Sequence, residues 1–247
     1  MTDKNALQER SDRKWWFNAL KKVMKVKYKE TTFVYLGQPI SHGGVILSNH
    51  EGTDAPMSFE IYGKKNIRFW GTSEMNSGLK KMYKYQSEVY YHEKKGWSLF
   101  GAKAFCLIAS PLTNLFYKGL NLISTYQDAR FIKTIKESQS ALKKGENIII
   151  FPEVSDEGYL KTLKGFHKGF ALFADDCLKK GVDIPIFIAY YNKKHNVYLI
   201  DEPINYSTLK TQYPNREDLA TALCDRCNAL GEMTYDETFL NSHKKAA

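Results

Sequence analysis

The chain has 247 residues, with 36 Lys+Arg against 27 Asp+Glu and a formal net charge of +9. That length can hold a large buried core, and 43% hydrophobic with 26% charged residues exclude a disordered or collagen-like polymer. The longest run free of Asp, Glu, Lys, Arg and His, Ala104–Tyr117, has 14 residues, short of the roughly 20 a bilayer-crossing helix needs, so a spanning chain is not expected.

The N-terminus, MTDKNALQER, has no apolar core followed by a small-residue cleavage site, so no secretory signal is expected. Residues 10–30 interleave Trp15, Trp16, Phe17, Leu20, Val23 and Met24 with Lys14, Lys21, Lys22, Lys25 and Lys27. Bulky apolar residues at three- and four-residue spacing amid lysines predict a basic amphipathic helix. Such a helix either rests on an anionic bilayer or packs on the domain and shows water a basic face. Residues 1–30 are assigned to this helix, 31–210 to one α/β domain and 211–247 to a helical, charged C-terminal extension.

From residue 31 the pattern becomes short apolar runs separated by helical stretches. Strands are predicted at Thr32–Leu36, Val45–Ser48, Ile67–Gly71, Leu122–Tyr126, Asn147–Phe151, Ile184–Tyr191 and Asn196–Ile200. Helices are predicted at Asp128–Lys144 and Lys168–Lys180, ending at Gly145 and Gly181, which suit C-caps. Continuously apolar strands such as Ile148–Phe151 fit a sheet covered on both faces. The fold expected is α/β, a single α/β/α sandwich with a mostly parallel, mixed sheet. A second hydrophobic stretch, Lys95–Gly119, is interrupted by Pro111. It reads as a helical pair over a tunnel or in lipid, or as a core helix.

Four cysteines in a chain this long do not make a disulfide framework, and a cytoplasmic location is expected. Cys224 and Cys227 form one C-x-x-C without a second pair, so ordinary helix residues are expected there and no metal. The basic balance favours an anionic partner. No RNP-type or helix-turn-helix signal accompanies it, so nucleic acid is not expected.

The segment Ser48–Met57, SNHEGTDAPM, carries the clearest chemistry. A histidine at the C-terminal edge of a strand, with a carboxylate in reach, can take a proton from a hydroxyl while the carboxylate orients the ring. His50 and Asp54 are the candidates; alternatively Asp54 caps the helix that Ala55-Pro56 opens. No G-x-S-x-G elbow and no H-E-x-x-H is present. Further along, IIIFPEVSDEG ends a strand in Phe151-Pro152-Glu153, LKTLKGFHKGFALFA carries Lys161, Lys164, His167 and Lys168, and VDIPIFIAY is an apolar strand with Pro185.

In this order and spacing, from about Val45 to Tyr190, the chain resembles the PlsC-like lysophospholipid and glycerol-3-phosphate acyltransferase superfamily. Asn49, His50 and Asp54 correspond to that family's N-H-x4-D, and Phe151, Pro152 and Glu153 to its F-P-E-G-[TS]-R-S, with Ser155 at the hydroxyl position. The turn and helix Lys164–Ala174 and the block Val182–Ala189 also fit. Three departures stand out. The spacing from His50 to Asp54 is one residue short, Val154 and Asp156 replace the family's glycine and arginine, and Gln127 lies near the family's second arginine, with Arg130 three residues later.

The resemblance implies acyl transfer from acyl-CoA or acyl-ACP to a hydroxyl of a lysophospholipid or related lipid. His50 would be the base and Asp54 its orienting partner. Glu153, Ser155, Arg130, Lys161, Lys164 and Lys168 would bind substrate. The acyl thioester would be a co-substrate, with no other cofactor. An anionic membrane surface would be the partner, and the protein would be peripheral on its inner, cytoplasmic face. Because an aspartate where the family has a phosphate-gripping arginine would repel phosphate, the acceptor is expected to differ from glycerol 3-phosphate or lysophosphatidate. The shortened spacing also leaves a second reading open, in which the chain binds lipid without acylating it.

Overall fold

A computed structural model describes residues 13–40, 43–156, 158–233, 235 and 239. Residues 10–12 of the expected N-terminal helix and 240–247 of the expected extension lie outside them. The strands are β1 (Thr32–Tyr35), β2 (Val45–Ser48), β3 (Ile67–Thr72), β4 (Ile123–Thr125), β5 (Asn147–Ile150), β6 (Pro185–Asn192), β7 (Val197–Ile200) and β8 (Ile204–Asn205). The first seven match the sequence-based expectation to within about two residues, whereas β8, two residues long, is too short to carry a period.

The helices are α1 (Trp15–Met24), α2 (Asp54–Tyr62), α3 (Leu79–Lys84), α4 (Leu99–Leu120), α5 (Phe131–Lys143), α6 (Gly169–Lys179), α7 (Tyr206–Gln212) and α8 (Arg216–Glu232). A π-helix, Tyr85–Lys94, joins α3 to α4. Gly145 and Gly181 take φ 75° and 78° just beyond α5 and α6. At both ends paired backbone bonds close the last turn, Gly145 to Leu142 with Glu146 to Ala141, and Gly181 to Leu178 with Val182 to Cys177.

The sheet runs β1-β7-β6-β2-β5-β3-β4, with β8 also paired to β6. From β4 to β6 every pairing is parallel, while β7 and β8 run antiparallel to β6. Alternate residues feed two cores. Val45, Leu47, Ile148 and Ile150 pack with α5, α6 and α8 on one face, while Ile46 and Ile149 pack with α1 and α2 on the other. The result is the expected three-layer sandwich, and it brings the C-terminal ends of β2, β3, β5 and β6 to one edge, where open parallel sheets place their ligands.

Both ends of the chain are bound into this core more tightly than their sequences suggest. α8 buries Leu219, Leu223, Cys224, Cys227 and Leu230 against the sheet, so it is a layer of the sandwich rather than a peripheral extension. Cys227 donates to the Ala189 carbonyl at 3.3 Å. α1 buries Phe17 completely, 5.3 Å from the Phe116 ring of α4. Gly119 makes this possible, since a Cβ there would stand 2.0 Å from the Phe17 ring. The fully buried Glu60 of α2 pairs with Arg13 at 3.0 Å and Lys21 at 3.3 Å. The packed reading of α1 therefore holds on this face, while Trp15 and Val23 stay exposed on the other.

Residues 95–119 do not form a helical pair. α4 is one 22-residue helix with Pro111 inside it, and it is long and apolar enough to cross a membrane by length and composition. The uncharged run underestimates it because Lys103 and Lys118 lie within the helix. Pro111 sits on the exposed face of the helix, where its ring meets no packed neighbour.

Candidate functional site

β2 delivers Asn49 and His50 to the C-terminal edge of the sheet. Asn49 is buried and bridges to the neighbouring strand, its Oδ1 accepting from Tyr191 N at 2.7 Å and its Nδ2 donating to Tyr191 O at 3.1 Å. This double bond pins the β2 end to β6 before the chain turns. Glu51 and Gly52 then take φ 41° and 65°, a left-handed turn that few side-chain-bearing residues adopt.

β5 delivers Phe151-Pro152-Glu153 to the same edge. Glu153 is held by an antiparallel bridge to Phe166, flanked by Val154 N to Gly165 O at 2.9 Å and His167 N to Pro152 O at 2.6 Å. Its buried carboxylate accepts from His50 N at 3.0 Å and Leu160 N at 3.4 Å. Burial pushes this carboxyl above its ordinary range, against those two amide donors. The two motif turns, more than a hundred residues apart, are thus joined through the backbone of His50.

The His50 ring is sandwiched by aromatic side chains. It stacks on Tyr159 at 4.7 Å and 19°, and Phe151 lies tilted at 4.9 Å. Burial drives its pKa down to about 4, with Lys94 of the π-helix adding to the shift and the backbone at Gly52 opposing it. The imidazole is therefore neutral at physiological pH. Its buried Nδ1 has no hydrogen-bond partner among the described residues.

Asp54 is not that partner. Its carboxylate lies 2.7 Å from Lys193 Nζ, in the turn after β6. A four-residue separation places two side chains on one face only when the residues between are helical. Here they form the Glu51–Gly52 turn, and Asp54 is the first residue of α2. The expected His50–Asp54 pair is thus not formed, and the alternative reading of Asp54 as the cap of α2 does not hold either: Thr53 occupies that position without a side-chain cap bond, and Asp54 lies in the first turn, where a carboxylate suits the helix dipole.

Two further carboxylates of the motif region, Glu51 and Asp128, do not hydrogen-bond the ring either. Glu51 is partly buried, and burial pushes its carboxyl up while Lys193 opposes this. Asp128 pairs with Arg130 at 2.7 Å. Arg130 is exposed and also lies over the Tyr126 ring, so its guanidinium is engaged within its own turn. Ser155 follows Glu153 in the same loop. Lys161 and Lys164 are exposed, the Lys161 carbonyl accepting from Tyr190 Oη at 2.8 Å. Lys168 pairs with Glu217 at the start of α8. Of the expected cations, none contacts His50, whereas Lys193 and Lys94, which carried no sequence signal, stand at the site. Tyr159 was equally silent, because a ring that stacks on His50 from a loop leaves no period. Among the described residues no cluster of ligating side chains could hold a metal.

A cavity of about 670 Å³ opens beside this edge, lined by Lys161, Lys194, His195 and Tyr235 among others. None of His50, Phe151 or Tyr159 lines that cavity; the neutral His50 ring can accept a proton from a hydroxyl.

No family model and no curated protein matches the chain. Among solved structures it is similar to the 1-acyl-sn-glycerophosphate (LPA) acyltransferase PlsC from Thermotoga maritima, with 14% sequence identity and a TM-score of 0.46 over 90% of this chain and 80% of that one. A superposition that loose assigns no activity to the chain.

Proposed function

We propose that the chain is an O-acyltransferase that moves a fatty acyl group from acyl-CoA or acyl-ACP to a hydroxyl of a lysophospholipid or related lipid. It would work as a peripheral protein on an anionic membrane, at the cytoplasmic face. One observation carries the reading. The N-H and F-P-E turns meet at the C-terminal sheet edge, with Glu153 gripping the backbone of His50 and the ring left neutral.

In this reading His50 accepts the acceptor's hydroxyl proton as the oxygen attacks the thioester carbonyl carbon. The C–S bond breaks, and the departing thiolate takes that proton back from the imidazolium. Glu153 is a positioning residue, fixing the height and direction of His50 through its amide. Tyr159 and Phe151 hold the ring plane and keep water away. The acyl thioester is a co-substrate, and no metal is assigned a role.

A second reading, a lipid-binding protein that does not acylate, draws on the engagement of Asp54 with Lys193 rather than with His50. Acyl transfer by purified protein and its His50→Ala and Asp54→Asn variants separates the two. Radiolabelled acyl-CoA and acyl-ACP would be offered with lysolipids that carry a phosphate and lysolipids that do not. Transfer is expected from the wild type, with a loss on the order of 10²–10⁴-fold in His50→Ala. Asp54→Asn is expected to fall far less, because the aspartate does not touch the ring. Absence of transfer from every protein, with lipid binding equal in all, would establish the non-acylating reading instead.

A further inference from the structure

α4 is built inside out. Apart from Leu120 at its end, the residues it buries are small or polar: Ala102, Cys106, Ser110 and Gly119. Ser110 donates to Gln86 of the π-helix at 2.9 Å. The residues it exposes are large and apolar: Phe100 at 86%, Leu107 at 70%, Ile108 at 77% and Leu112 at 69%, with Leu115 continuing the row. This stripe runs about 22 Å along the helix and holds no charge. A monomer in water rarely exposes a contiguous apolar surface of that kind unless something covers it.

We infer that the exposed face of α4 is the protein's membrane-docking surface and that it is seated in the apolar edge of an anionic bilayer. Three observations favour lipid over a second copy of the chain. Residues 79–120, the insert that carries the stripe, hold seven lysines against two glutamates, a balance that attracts anionic headgroups and repels a like-charged copy. Trp97, half-exposed and packed against Tyr91 and Phe105, stands at the head of the helix, where amphipathic rings sit at a membrane interface. The helix that carries the face also borders the candidate site: burial raises the pKa of the Tyr159 hydroxyl, with Tyr90 of the π-helix and Tyr117 of α4 adding to it, and Tyr159 stacks on His50.

The helix lies along the surface rather than through it. Its inner side packs on α3 and the π-helix, Tyr83 of α3 donating to Lys103 O at 3.3 Å and Ser110 to Gln86 of the π-helix, and its last residues are buried against Phe17 beside β4. Crossing the bilayer would strip these contacts. The inference rests on the surface alone. The acyl-transfer reading explains only what the docked protein would do there.

The test uses the full chain and a Phe100→Ser, Ile108→Ser, Leu112→Ser variant. Because these side chains are exposed, folding should be unaffected, which circular dichroism and a thermal melt would verify. A second variant, Ile108→Asp alone, guards against any defect of the triple one. Flotation with vesicles of equal phosphatidylcholine and phosphatidylglycerol is expected to recover the wild type. Partition should drop at least about 100-fold in the triple variant, given what burying three large side chains is worth. Equal partition of wild type and both variants would overturn the inference. So would a wild type that ignores vesicles, whether it sediments as a monomer or as a dimer that the substitutions dissociate. Transfer to a water-soluble, short-chain lysolipid, followed in the same samples, keeps the two proposals apart. Activity without flotation sinks the docking surface only, and flotation without activity sinks acyl transfer only.

Discussion

α6 and α4 are both apolar helices of one chain, and they dispose their side chains in opposite ways. α6 turns Phe170, Ala171, Phe173, Ala174 and Cys177 into the sheet and leaves only Leu172 among its large apolar residues exposed. Over most of its length α4 turns small residues inward and Phe100, Leu107, Ile108 and Leu112 out, and only its last turn, with Phe116, Tyr117 and Leu120, packs large residues on the core. The first pattern follows from burying the most apolar area against a partner within the chain. The second cannot be explained by folding energetics, because the area that would contribute most remains in water. The difference shows that the partner of α6 is the sheet, whereas no described residue covers the outer face of α4.

The strongest way to break this contrast is to truncate one large side chain on each helix. Phe173, fully buried, should cost about 3–5 kcal/mol on replacement by Ala. Phe100→Ala should leave stability within about 0.5 kcal/mol of wild type. Denaturant unfolding of the two variants measures both. A loss at Phe100 comparable to that at Phe173 would mean that α4 is an ordinary core helix whose packing has been misread.

A second measurement asks whether the insert that carries α4 belongs to the site. His50 is neutral and buried, with its pKa lowered to about 4 from an ordinary 6.5. Between those two values the unfolded chain binds more protons than the folded one, so stability rises with pH through this window. The loss on acidification is complete below about pH 4 and amounts to about 3 kcal/mol at most. His50→Gln should flatten that part of the stability curve. Titration of His50 near 6.5 would place the ring in open solvent and detach the insert from the site.

The sandwich was legible in the sequence because it is written in periods. Ile148 to Ile150 is apolar throughout since both faces are covered, and Gly145 and Gly181 mark the helix ends their backbone angles require. His50 and Glu153 were legible as residues that end strands. Their relation was not, because Glu153 reaches His50 through a backbone amide, and nothing in a side-chain pattern announces that. Asp54 misled for a related reason, since its four-residue spacing implies contact only on a continuous helix and the Glu51–Gly52 turn breaks it. Lys193 drew Asp54 away from a turn after β6, and such a lysine looks like any solvated one. α4 was half legible. Its apolarity was plain, but which residues face inward depends on α3 and the π-helix, and a ten-residue π-helix shifts every position after it.

The inner side of α4 offers a smaller test. Cys106 is fully buried where α4 packs on the rest of the insert. If small residues are there because the elements approach closely, Cys106→Leu should cost about 1–3 kcal/mol through overpacking. Ile108→Leu, two residues further on and on the exposed face, should change nothing measurable. Equal tolerance at both positions would remove the distinction between the two sides of the helix.

The smallest expected effect probes the link between insert and site most directly. Lys94 closes the π-helix, and its charge acts on His50, holding the ring's pKa down in addition to the larger effect of burial. Lys94→Gln removes that charge and leaves the aromatic sandwich of Tyr159 and Phe151 intact. The His50 pKa should therefore rise slightly, followed through its ring resonances, and remain well below 6.5. The acid limb of kcat/KM should move to higher pH by the same amount, since it reports the free enzyme's base. A shift in the ring titration without one in the rate profile would mean that some other group is the base. A large rise would mean instead that the lysine, rather than the aromatic walls, keeps the ring neutral, and that the insert controls the site by charge and not by closure.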